Sequence, residues 1–284
     1  MIGKTRQPSS EVEEVYDGEV GKARGILRQS LPAGKLRHAR RCPSPEVTFW
    51  IAHYWIIHWD LRGHKRQVVE SLPHPNIHLI FEKDTAVVSG VHTCKFSRVL
   101  EGKGQVFGVK FQPGGFRPFL DYPVSKLADR IVPATRIFGK NLGALQEIVL
   151  SGRDEDEKVR ATNDFFRTRL PKPDSMIQLA RDLVEKILRE PEIKTVDDLA
   201  NSAVVGKRRL QRIFNEYVGV PPKWVIRRYR LYELIEKINS GGDLEWAKVA
   251  ADLGYFDQAH LINDFKSIVD YSPAQYKKRV LRSS

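Results

Sequence analysis

The C-terminal part of the chain contains one pattern of residues twice. The first copy, TVDDLANSAVVGKRRLQRIFNEYVGVPPKWV, begins at Thr195, and the second, DLEWAKVAADLGYFDQAHLINDFKSIVDYSPAQY, begins at Asp243. Aligning Phe214 with Phe265 also aligns the closing Val-Pro-Pro with Tyr-Ser-Pro. Each copy predicts a short helix, a tight turn and a longer helix with apolar residues at i, i+3 and i+4. The repeat therefore restricts this part of the chain to helices arranged as two similar units.

Each predicted unit has the form of a helix-turn-helix, whose second helix can lie in the major groove of DNA. Thr195 and Asp198 predict a capping box at the start of the first unit. The predicted core positions are Leu199, Leu210, Ile213 and Phe214 in the first copy and Val249, Leu253, Leu261 and Phe265 in the second. The polar residues left on the second helix of each copy are the predicted DNA-binding residues: Lys207, Arg208, Arg209, Gln211, Arg212, Asp257, Gln258, His260, Asn263 and Lys266. Arginine can form paired hydrogen bonds with guanine, and glutamine can do so with adenine.

The charge of the chain favours a polyanionic partner. The formal net charge is +12, and basic residues concentrate from Lys207 to Arg230, in the first copy and the segment that follows it. They are Lys207, Arg208, Arg209, Arg212, Lys223, Arg227, Arg228 and Arg230, with Glu216 as the one acid in that segment. A solvated helix face would give the same pattern, and Lys223 and the arginines of RRYR either contact phosphates or pack against the linking helix. That linking segment, PPKWVIRRYRLYELIEKIN, is long enough to hold the two units at a fixed spacing.

The N-terminal part contains short strand-like segments instead of helical periodicity. Six short segments rich in β-branched and aromatic residues, between His53 and Gly115, predict an antiparallel barrel or sandwich. Residues 1–42 are predicted to be a tail or loops, and Ser44 with Pro45 predicts the start of a helix. Helical periodicity begins near Pro133. We therefore predict two domains: a mostly-β barrel or sandwich with trailing helices over 1–170, and an all-α double helix-turn-helix over 173–284.

Specific stretches also resemble a known family. LQRIFNEYVGVPP, RRYRL, GYFDQAH and DFKSIVDYSPAQY, between Ser175 and Arg279, resemble the double helix-turn-helix domain of AraC/XylS-type transcription regulators. HYW with WDL, LPHPNIHLIFE and GVKFQPGGFRPFL resemble an uncharacterised N-terminal module of some of these regulators. The resemblance implies a transcription regulator that binds specific DNA sequences.

The sequence departs from that family at three places. Val204 and Gly206 stand where the family usually has glycine and serine, so we expect a reshaped first turn. Asn263 replaces a usual basic residue and is followed by Asp264, which we expect to weaken the phosphate contacts of the second unit. Asp270 replaces a usual glycine, although aspartate tolerates the left-handed region. The first unit is therefore expected to dominate the affinity for DNA.

The predicted partners are double-stranded promoter DNA, an unidentified small-molecule effector acting through the N-terminal domain, and RNA polymerase. Residues 139–169 are a candidate surface for a homodimer. The sequence has no secretory signal and no span for a membrane, which predicts a cytoplasmic protein. It also lacks the nucleophile, zinc and phosphate-loop motifs of common enzymes, so we predict neither an enzyme nor a cofactor. Whether transcription rises, as for an activator, or falls stays open.

Two other interpretations compete with this one. Six histidines lie close together in the sequence, with Glu70 and Cys94 nearby: His53, His58, His64, His74, His78 and His92. Their irregular spacing indicates histidines in ordinary strands and loops rather than the metal ligands of a barrel enzyme. Trp50, Trp55 and Trp59 are likewise expected in the core rather than in a ligand cage. The other alternative is a partner-binding protein that touches DNA without reading its sequence.

Overall fold

A computed structural model describes residues 12–17, 20, 25–27, 34–151, 154–241 and 244–282. In chain order the strands are β1 (Val12–Tyr16), β2 (Leu36–Arg41), β3 (Ile51–Asp60), β4 (Gln67–Ser71), β5 (His78–Glu82), β6 (Thr85–Ser89), β7 (Phe96–Leu100), β8 (Lys103–Phe111) and β9 (Ile131–Pro133). The helices are α1 (Thr135–Phe138), α2 (Leu142–Leu150), α3 (Glu155–Arg167), α4 (Ser175–Arg189), α5 (Val196–Ser202), α6 (Lys207–Ile213), α7 (Pro222–Asn239), α8 (Trp246–Asp252), α9 (Gln258–Val269) and α10 (Pro273–Arg282).

Seven strands form one sheet in the spatial order β1-β2-β3-β8-β5-β6-β9, and β4 pairs with β7 in a second, two-stranded sheet. Only the β1–β2 pair is parallel among the paired strands described. Because β1 and β9 end the larger sheet, it is open and sandwich-like rather than a closed barrel. The β-rich N-terminal part and the all-α C-terminal part are thus confirmed.

The six predicted strand segments correspond to β3 to β8. The prediction of a tail or loops over residues 1–42 is wrong where β1 and β2 form, because β2 pairs along its whole length with β3. The helix predicted at Ser44 is only a single 3-10 turn, Pro45–Val47, and the Ser44 side chain makes no capping bond.

Buried apolar residues form two large clusters that meet along α7. The first runs from the seven-stranded sheet through α4, α5 and α6 to Ile226 in α7. The second contains the rest of α7 with α8, α9 and α10, and also Leu27 and Leu72 from the N-terminal part. The core of the first helix-turn-helix is therefore continuous with the core behind the sheet, while the second helix-turn-helix has a core largely its own.

Hydrogen bonds also join the sheet region to the helices. The Trp224 indole donates to the Thr93 carbonyl at 3.0 Å, and the Arg228 guanidinium donates to the Pro73 carbonyl at 2.7 Å. The backbone N–H of Lys95 donates to the Ile268 carbonyl at 2.8 Å. No helix in the described ranges is long and apolar enough to cross a membrane.

Candidate nucleic-acid interface and adjoining cavity

The first helix-turn-helix is built by α5 and α6. Thr195 and Asp198 form the predicted capping box, each side chain accepting a bond from the other residue's backbone N–H. In the turn, the Val204 N–H donates to Asn201 at 3.2 Å and the Val205 N–H donates to Ala200 at 3.0 Å. The predicted core residues of this unit, Leu199, Leu210, Ile213 and Phe214, are all buried. The chain continues from α6 into one π-helical segment, Phe214–Val218.

The second helix-turn-helix repeats these bonds with α8 and α9. The Gly254 N–H donates to Ala251 at 2.9 Å and the Tyr255 N–H donates to Ala250 at 2.8 Å. Val204 and Gly254 therefore occupy the same left-handed position, with φ of 52° and 71°. The predicted core residues of this unit, Val249, Leu253, Leu261 and Phe265, are also buried. The duplication seen in the sequence is thus a duplication of structure.

The expectation of a reshaped first turn is wrong. Val204 adopts the left-handed backbone that glycine adopts in the second copy, and its side chain is 92% exposed. A β-branched residue is strained there. The burial of Val205 and the two backbone bonds hold the turn in place despite that strain.

On α6 the predicted residues lie on one exposed face. Arg208, Arg209, Gln211 and Arg212 are exposed. Lys207 is exposed as well, but its ammonium forms an ion pair with Asp197 of α5. The polar face of α6 is thus basic and open to solvent.

On α9 the exposed face is more neutral. Gln258, His260, Asn263 and Lys266 are exposed, and the His260 ring packs edge-on against Tyr255 at 5.2 Å between centroids. Asp257 is exposed but is the N-cap of α9, its carboxylate accepting from the His260 N–H at 2.7 Å. The predicted DNA-binding residues of the second copy are therefore all exposed on or next to α9, and Asp257 also stabilises the start of this helix.

Asp264 does not weaken phosphate contacts in the way that we expected. It is only 7% exposed, forms an ion pair with Arg227 of α7 and accepts a bond from the Tyr255 hydroxyl at 2.8 Å. Burial and this carboxylate raise the pKa of Tyr255. The negative charge next to Asn263 is thus compensated inside the unit and does not face solvent. Asp270, in contrast, adopts the left-handed conformation that was expected of it, with φ 65°.

The linking helix α7 uses most of its arginines for structure. Arg227 pairs with Asp264, Arg228 is 1% exposed, and the Arg230 guanidinium lies 5.4 Å from the Tyr255 ring centroid. Lys223, near the start of the helix, is exposed. The basic residues between Lys207 and Arg230 therefore divide into two groups. Those on α6 and Lys223 are exposed, whereas the three arginines of α7 make contacts within the protein.

A cavity of about 660 Å³ lies between the sheet and α4 and α7. Trp55, Trp59, His53 and His78 line it. Trp50 packs in the main core and Trp59 in a smaller buried cluster against which Trp55 packs, so the expectation of core positions is confirmed, although Trp55 and Trp59 also face the cavity. The cavity could not be located from the sequence alone, because the residues that line it are far apart in the chain.

Two histidines in the cavity wall, His53 and His78, are held neutral. Burial, followed by the charge of Lys110, lowers the pKa of His78 to about 3, and burial with nearby cations lowers the pKa of His53 further. His53 accepts from the Arg40 guanidinium at 3.0 Å, and His78 accepts from the Trp55 indole at 3.1 Å. Among the described residues no three His, Cys, Asp or Glu side chains are grouped so as to hold a metal ion.

Comparisons with known proteins agree with this arrangement. Residues 199–279 match a family described as a helix-turn-helix domain, and residues 39–133 match a domain of unknown function (DUF6597). An uncharacterized HTH-type transcriptional regulator of Haemophilus influenzae is 28% identical over 95 residues. That match covers 33% of this chain and 32% of the relative, so the chain spans about a third of the curated relative's length.

Solved structures of ToxT from Vibrio cholerae are also similar. An apo form has a TM-score of 0.39 and 12% identity, covering 80% of this chain and 97% of ToxT. A second structure has a TM-score of 0.37 and 13% identity, covering 75% and 90%. The two family matches and the duplicated turn agree on one layout: an N-terminal region similar to a domain of unknown function, followed by a C-terminal region similar to a helix-turn-helix domain.

Proposed function

We propose that this chain is a transcription regulator that binds specific DNA sequences through both helix-turn-helix units, under the control of an effector that acts on its N-terminal domain. The observation that carries the proposal is the repetition of one turn geometry, with a solvent-exposed polar face on α6 and on α9. The reading residues would be those predicted from the sequence on these two helices. The division into domains over 1–170 and 173–284 belongs to this proposal.

The linking helix supports simultaneous reading of two DNA segments. α7 has 18 residues, which corresponds to about 27 Å of helix. Successive major grooves on one face of DNA are about 34 Å apart. Because Arg227 ties α7 to α9 through Asp264, the second reading helix is fixed relative to this linker. Two units held in this way fit a site with two contacted segments rather than one.

Contacts between the sheet region and the second unit support control by the N-terminal domain. Glu70 of β4 forms an ion pair with Lys95 at 2.7 Å and lies 3.7 Å from Arg279 of α10. The Glu70 carboxylate also accepts from the Tyr271 hydroxyl at 3.3 Å. A change in the sheet region can therefore alter the position of the second unit, which is the coupling that an effector requires. A homodimer through 139–169 and contact with RNA polymerase remain parts of the proposal.

The proposal is tested by selecting genomic DNA fragments with the purified full-length chain and footprinting the best fragment. We expect an enriched motif with two protected segments about one helical turn apart. An Arg208→Ala variant should weaken protection of the first segment, and Arg66→Ala, an exposed charge in the loop between β3 and β4, serves as the matched control. A footprint with one segment would contradict reading by both units.

The partner-binding alternative predicts a different result from the same protein. Binding to DNA without sequence preference would show no enriched motif and a steep loss of affinity with salt. Enrichment that survives competition with unrelated DNA would exclude it. For the metal-barrel alternative, elemental analysis of the purified chain is the direct measurement, and the described residues show no grouped ligands to support it.

A further inference from the structure

The face of the sheet that lines the cavity is polar at one end and apolar at the other. The register of the strands pairs His53 of β3 with Lys110 of β8, and Lys110 with His78 of β5. Further along the same face, Ile57 pairs with Val106, and Trp59 lies beside Gly104. The polarity of the cavity therefore changes along the strands.

Glycines in β8 make room for the two tryptophans. A Cβ at Gly108 would come within 2.0 Å of the Trp55 ring, and one at Gly104 within 2.2 Å of the Trp59 ring. Both indoles can therefore lie over β8 only because these positions lack side chains. Apolar residues complete that end of the cavity: Leu36, Ile57, Ile80, Leu100 and Val106.

The polar end holds two cations that lack acidic partners. Among the described residues, neither Lys110 nor Arg228 has a carboxylate within ion-pair distance. Arg228 is held by the Pro73 carbonyl and by His74, with its guanidinium 4.8 Å from the Tyr229 ring centroid. Burial, with the charges of Arg40 and Arg228, lowers the pKa of Lys110 to about 7.

The acids of the cavity wall have other partners. Glu70 pairs with Lys95, and Glu185 pairs with Arg189 on the same helix at 2.9 Å. A buried cation without a counter-charge is unfavourable, and an anion entering the cavity would remove that cost. The volume of about 660 Å³ is within the range of small-molecule sites.

We propose that this cavity binds an amphipathic organic anion, with its carboxylate at Lys110 and Arg228 and its apolar body over Trp55 and Trp59. Arg228, Tyr229 and Tyr232 of α7 line the cavity, so the bound compound would touch the helix that joins the two DNA-binding units. The consequence for transcription rests on the function proposed above, but the binding itself does not.

Calorimetric titration of the full-length chain without DNA tests the site directly. The compounds are octanoate and naphthoate, each compared with its neutral amide. We expect at least one carboxylate to bind, and its amide to bind about tenfold or more weakly because the charge-assisted hydrogen bonds are lost. A Lys110→Met variant should lose about tenfold or more in affinity for the carboxylate. Lys103→Met, at the exposed start of the same strand, should match the unaltered chain.

The pH dependence gives a separate signature. The groups that face Lys110 are Arg40 on β2, His53 on β3, His78 on β5 and Arg228 on α7. Both histidines have lowered pKa values and stay neutral near neutral pH, and the arginines stay charged. Affinity for the carboxylate should therefore fall about tenfold between about pH 6 and pH 8, as Lys110 loses its proton. The Lys110→Met variant should lack this fall.

Three results would overturn the proposal: neither carboxylate binds, the amides bind equally well, or Lys110→Met leaves the affinity unchanged. Lys110→Gln repeats the test if the methionine variant does not fold, and the comparison of acid with amide needs no variant. Because no DNA is present, failure here leaves the proposed DNA binding intact, and failure of the genomic selection leaves this site intact.

Discussion

The two helix-turn-helix units share a turn but differ in what supports it and in what they expose. The first has a basic reading face, a strained Val204 in its turn and a core continuous with the sheet region. The second has a more neutral face, glycine in the turn, a capped reading helix and a largely separate core. The first unit thus combines the more basic face with a firm connection to the rest of the chain, while the second unit is structurally more independent.

The strongest prediction concerns the cores of the two units. Phe214 and Phe265 are equivalent and fully buried, so replacing either by alanine should cost about 3–5 kcal/mol. Phe214→Ala should destabilise the sheet region as well, because both share one cluster. Phe265→Ala should loosen mainly α8 to α10. Hydrogen exchange measured along the chain distinguishes them, and equal loss of protection in the sheet for both variants would refute separate cores.

The next prediction concerns the affinity of each unit for DNA. Arg208→Ala should weaken binding to the selected site by about 1–3 kcal/mol, because an arginine that reaches a base or a phosphate is removed. Asn263→Ala on α9 should cost less, since no charge is lost. The measurement is the binding free energy at one salt concentration for both variants. A larger loss for Asn263→Ala would reverse the assignment of the dominant unit.

A smaller effect concerns how the reading helices begin. Asp257 caps α9 through the His260 N–H, whereas Gly206 at the start of α6 offers no side-chain cap. Asp257→Ala should therefore lower the free energy of unfolding by about 1 kcal/mol, and Asp257→Gly, which gives α9 the same N-cap residue as α6, by only about 0.3 kcal/mol. Urea denaturation of the two variants measures the difference. If Asp257→Ala instead weakens DNA binding without lowering the stability, the main role of the Asp257 side chain is in DNA recognition.

The sequence predicted the two helical units well because their signals are local. Helical periodicity and the Thr195 capping box lie within a few residues of the structure that they specify. Other features depend on partners far along the chain. Asp264 is compensated by Arg227, and β2, with the sequence LRHARR, is a strand because β3 pairs with it. Lys110 occupies an ordinary polar position in its strand, so the cavity around it could be found only in the folded chain.

The smallest effect tests the turn that the two units share. Val204 has φ 52° and is 92% exposed, so Val204→Gly should relieve backbone strain while losing almost no buried surface. We expect a gain in the free energy of unfolding of about 1 kcal/mol, since the relief exceeds the extra freedom of glycine in the unfolded chain. Asp270→Gly is the matched control, because aspartate already tolerates φ 65° and Lys95, its ion-pair partner, keeps a shorter ion pair with Glu70. A loss of stability in Val204→Gly would mean that the valine holds the turn, and the two units would then differ in their turns as well.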